Sequence, residues 1–102
     1  PLRWRHSGEE HKVFVLEDQG NATGGENLLS GQCVKLGFSF PAGDATVCES
    51  MWVRITDIDN KREAKYTGEI DNVSIFHPDS YGQQVQFRPD HILAIWEEEH
   101  DV

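Results

Sequence analysis

The chain has 102 residues, 37% of them hydrophobic and 26% charged, which is room for one folded domain and lies outside the low-hydrophobicity regime of disordered chains. Nine Lys and Arg against eighteen Asp and Glu leave a net charge of −9, a field that repels phosphate backbones and anionic headgroups, so neither nucleic acid nor membrane is expected as a partner. No apolar run approaches the roughly 18 residues of a membrane helix, and Pro1 to His6 lack a signal peptide's apolar stretch, so a soluble, cytoplasmic protein is expected.

Residues 1–26 read as an N-terminal extension. Trp4, between Arg3 and Arg5, belongs to a loosely held end; Lys12 to Leu16 form a candidate strand; Asp18 to Gly25 have the composition of a flexible loop. A β domain is expected over 27–96. From Gln32 the pattern alternates, with Val34, Leu36, Phe38 and Phe40 on one face and Cys33, Lys35, Gly37 and Ser39 on the other, the mark of a half-buried strand. Pro41-Ala42-Gly43-Asp44 supplies a turn. A second strand runs from about Val47 to Ile58, placing Met51, Val53 and Ile55 inside and Trp52, Arg54 and Thr56 outside.

After a reversal at Asp59 to Arg62, Tyr66, Gly68 and Ile70 mark the inner face of a third strand. A short apolar piece from Val73 to Phe76 precedes the breaker His77 to Gly82. Val85 and Phe87 belong to another strand, and Ile92 to Trp96 to a last one, apolar on both faces. A single helical turn is expected at most, around Pro89-Asp90-His91. Residues 97–102 form an acidic tail. The sum is an all-β fold, a small SH3-like barrel or strongly curved antiparallel sheet of five to six strands. Its core should hold Val34, Leu36, Phe38, Val53, Ile55, Tyr66, Val85, Phe87 and Ile92.

From Asn27 to Trp96 the order of features resembles a family of small bacterial domains of uncharacterised function. The residues that carry the likeness are Leu28-x-x-Gly31-x-x-Val34-Lys35-Leu36, Met51-Trp52-Val53, Gly68, Asn72, Tyr81-Gly82 and Phe87-x-Pro89-x-His91-Ile92. The resemblance implies a compact, mostly β domain encoded as a bacterial accessory gene, and it brings no catalytic residues. One departure is that Asn72 is followed by Val73-Ser74, where the family pattern has Asn-x-Pro.

Candidate chemistry is sparse. Asp57-x-Asp59-x-Lys61 opens like a calcium loop, but Arg62 stands where Gly is needed and Gly68 where a bidentate Glu belongs. His77, Asp79 and His91 supply ligand types for zinc or a hydrolase without a metal-site spacing. Cys33 and Cys48 lie on the strand face opposite the core and, by hairpin register, do not face each other, so they read as inert thiols. No cofactor is expected. The informative position is Trp52, a large aromatic in solvent phase beside Arg54. Either the Val13 to Leu16 segment or Trp96 covers it, or Trp52 and Arg54 form a binding hot spot. The expected function is therefore a non-catalytic binding module for a protein partner or small ligand, with an enzyme using His77, Asp79 and His91 as the alternative. The exposed edges of a small sheet also admit a homodimer.

Overall fold

A computed structural model of the protein describes residues 15–17, 25–75 and 78–97. The strands are β1 (Val15–Leu16), β2 (Cys33–Ala42), β3 (Ala45–Ile58), β4 (Tyr66–Ile70), β5 (Gln84–Phe87) and β6 (Ile92–Ile95). Neighbours from β1 to β5 follow chain order, every pairing is antiparallel, and β6 returns to β2. The sheet thereby curls into a half-barrel. One long edge of β2 carries β3, while the other carries β6 along Val34–Leu36 and β1 along Phe38–Ser39.

The expected alternation closes the core. Val34, Leu36, Phe38, Met51, Val53, Ile55, Tyr66, Val85, Phe87 and Ile92 are all buried, joined by Phe40 and Ile70. Tyr66 does more than pack. Its buried hydroxyl donates to Gly25 O at 2.7 Å and accepts from Leu28 N–H at 3.2 Å, so the chain entering the domain is tied to the middle of the sheet.

The ladder is irregular between Lys35 and Leu36 where β2 meets β6, and again where β3 meets β4. Ile55 pairs with Gly68 but Asp57 pairs with Thr67, which leaves Thr56 as the extra residue of a bulge, and bulges bend a strand and raise its twist. At Gly68, β4 crosses β3 so closely that a Cβ would lie 2.6 Å from Val53 Cγ1 and 2.7 Å from Arg54 O.

Some expectations are revised. The first turn is tighter than expected: Pro41 and Ala42 stay in the ladder opposite Thr46 and Ala45, and only Gly43-Asp44 form the loop. Gly43 has φ +67° and no non-glycine residue has a positive φ among those described, which is the type II′ pattern for a two-residue hairpin. The short apolar piece at Val73 to Ile75 lies between strands, with Ser74 buried and both neighbours exposed. A 3₁₀ turn stands at Pro89–His91 as expected, and another occupies Pro78–Ser80. Of the candidate N-terminal strand, Val15–Leu16 is described; Trp4, Lys12 to Phe14, Asp18 to Gly24, Phe76, His77 and the tail from Glu98 lie outside the described residues. Among the described residues no helix is long and apolar enough to cross a membrane.

Candidate functional site

The β2–β3 register sets a row of side chains on the outer face: Cys33 opposite Arg54, Lys35 opposite Trp52, Gly37 opposite Ser50 and Ser39 opposite Cys48. Glu69 of β4 lies across from Arg54 and Ala94 of β6 across from Lys35. Trp96 follows directly, its N–H donating to Cys33 O at 2.9 Å.

Trp52 is half-buried, and the group that packs on it is Trp96. The two rings meet edge to face, with centroids 5.2 Å apart and planes at 86°, a geometry favoured by the ring quadrupoles. β1 is paired further along β2 at Phe38–Ser39. The ammonium of Lys35 sits 5.0 Å from the Trp52 ring centroid, within cation–π range. Trp96 itself is 54% exposed, so the more open indole of the pair is the one that sequence periodicity treated only as a cover.

Arg54 Nη2 meets Glu69 Oε1 at 3.1 Å. Both side chains are exposed enough that the pair is worth at most about 1 kcal/mol, although it fixes where the guanidinium sits. Lys35 has no carboxylate partner among the described residues. The face is thus an indole pair flanked by two cations, one paired and one resting on a ring.

Neither cysteine is an activated nucleophile. Burial pushes the Cys33 thiol up, with Asp71 adding to the shift and Arg54 opposing it. The Cys48 thiol donates to Glu17 Oε2 at 3.0 Å, which raises its pKa; the same oxygen accepts from Ser39 Oγ at 2.8 Å, and both bonds hold the Glu17 carboxyl low. A raised thiol pKa means less thiolate at neutral pH. Gly37 makes room for this contact, since a Cβ there would lie 3.1 Å from Glu17 Oε1.

Of the enzyme candidates, His91 is buried and its Nδ1 accepts the Arg88 N–H at 2.9 Å, so one ring nitrogen caps the 3₁₀ turn. Asp79 is exposed in the other turn, and His77 lies outside the described residues. Among the described residues no group of three or more His, Cys, Asp or Glu is placed to hold a metal ion.

Sequence reasoning missed the corner after β4. Where β4 ends, Asn72 Oδ1 takes over as acceptor for Trp52 N–H at 3.0 Å, and Asp71 N–H donates to Trp52 O at 2.9 Å. Glu49, opposite Phe38 and so in core phase, accepts from Ser74 Oγ at 2.6 Å and Ile75 N–H at 3.0 Å. A charged residue in the apolar phase was the available signal, because such a group needs hydrogen-bond partners.

Comparison with protein-family models, curated proteins and solved structures finds no match to this chain.

Proposed function

We propose that the protein is a non-catalytic binding module, the cytoplasmic product of a bacterial accessory gene, that holds a protein partner against Trp96, Trp52, Lys35 and Arg54. The observation that carries this reading is Trp96, 54% exposed, in edge-to-face contact with Trp52 and flanked by two cations. Trp and Arg are enriched at interface hot spots, where a rigid aromatic is desolvated at small entropic cost. The group lies on the outer side of the curl, a shape suited to a protein surface, whereas a small ligand needs concave walls.

The test is affinity isolation from cells of the native host with the wild-type chain, Trp96→Ala and Lys35→Glu. One partner retained by the wild type and lost by both variants, with both variants still folded and unfolding cooperatively, supports the reading. Equal retention by all three refutes it.

A further inference from the structure

Residues 73–75, which follow β4, have their polarity inside out. Ser74 is 2% exposed, while its neighbours Val73 and Ile75 are 66% and 80% exposed. Burying the serine forgoes the apolar burial that either neighbour would have gained. The arrangement is held from several sides, by the two bonds to Glu49 and by Asn72 bound to the β3 backbone. Tyr81, 57% exposed, sends its hydroxyl to Asp71 Oδ1 at 3.4 Å, and the next residue's N–H donates to Ile70 O at 2.8 Å. Val73 and Ile75 are displayed on a backbone pinned at Asn72, Ser74 and Ile75, and Tyr81 is tied to Asp71, so covering these side chains costs little ordering. Scattered exposed hydrophobics are ordinary, but ones held out on a braced backbone are already ordered for a partner.

Charge narrows the partner. From Tyr66 to Phe87 the sequence holds Glu69, Asp71 and Asp79 and no Lys or Arg. Glu69 is engaged by Arg54, which leaves two exposed carboxylates, Asp71, which accepts from Tyr81, and Asp79, two residues before Tyr81. We propose that this corner is a second docking surface, for a segment of another protein in which apolar side chains alternate with Lys or Arg. The corner's apolar side chains are distinct from those of the Trp52–Trp96 face, with which it shares the Asn72 bond to the Trp52 N–H and the Glu69–Arg54 pair.

Two synthetic peptides test it, one alternating valine with lysine and one alternating valine with glutamate. Each is titrated into the isotopically labelled full chain, with amide shifts and fluorescence anisotropy as readouts. The lysine peptide is expected to bind more tightly and to shift amides of residues 71–75 and 78–82. Val73→Ser with Ile75→Ser should weaken it about tenfold or more. Asp71→Asn with Asp79→Asn, which leaves the apolar residues in place, should weaken it and flatten its salt dependence, while Trp96→Ala should leave it unchanged. Equal affinity for the two peptides, no shifts at the corner, or affinity unaltered by both pairs of substitutions would overturn the proposal. So would a concentration-dependent dimer dissociated by Ile75→Ser, because the occupant would then be a second copy of this chain.

Discussion

Gly68→Ala should unfold the domain more readily than its single added methyl suggests. The new Cβ would meet Val53 Cγ1 at 2.6 Å and Arg54 O at 2.7 Å. Neither can retreat, since Val53 is fully buried and the oxygen belongs to the β3 backbone. Overpacking of this kind costs about 1–3 kcal/mol, and a clash against backbone belongs at about 3 kcal/mol, the upper end of that range. Gly68 has no positive φ, so alanine is conformationally allowed there and recovers about 0.4–1 kcal/mol by restricting the unfolded chain. The net loss is about 2 kcal/mol, or roughly 8–16 °C in Tm for a domain of this size. Urea unfolding followed by tryptophan fluorescence measures it. A loss below about 0.5 kcal/mol would mean that β4 does not cross β3 as closely as described, and the placement of Glu69 against Arg54 would fall with it.

Phe87→Ala should cost about 3–5 kcal/mol in the same assay; less than about 1 kcal/mol would place β5 in the wrong phase. Trp52→Ala should cost about 2 kcal/mol, from the lost edge-to-face pair, the lost Lys35 contact and partial burial, and Trp96→Ala no more than about 1 kcal/mol. The reverse order would contradict their packing. In a Cys33→Ser background, Glu17→Gln should speed iodoacetamide alkylation of Cys48 near pH 8. The sign follows from the raised Cys48 pKa: the carboxylate keeps the thiol protonated as pH rises, and removing its charge lowers the pKa and frees thiolate. An unchanged rate would show that the Glu17 contact does not form in solution.

The hairpin of β2 and β3 was readable because both strands are half-buried and alternate with period two, which placed Phe38, Val53 and Trp52 on their faces. Register was less readable, since Pro41 and Ala42 look like turn residues yet stay in the ladder, and Cys33 pairs with Arg54, just beyond the Met51 to Val53 stretch that a turn centred near Gly43 suggests. The exposure of Trp52 depends on how β6 closes onto β2, a pairing between segments some sixty residues apart that local alternation does not encode. The corner at 71–75 follows side chain to backbone bonds, with Glu49 reaching across 25 and 26 positions. Period-two reading therefore saw an apolar piece at Val73 to Phe76 and not the serine turned inward. The bulge at Thr56 left no mark in composition either; Gly68 in the middle of an inner face was its nearest trace.

The central claim is that the Trp52–Trp96 face holds a partner, and site-specific photocrosslinking in the native host tests it most directly. A photoreactive residue replaces Glu97, exposed beside Trp96, in one chain and Gln86, exposed on β5, in another. The account predicts one discrete crosslinked protein from position 97 and none from position 86, with the position 97 adduct suppressed by Trp96→Ala and by Lys35→Glu. No adduct from position 97, or the same adducts from both positions, would contradict it.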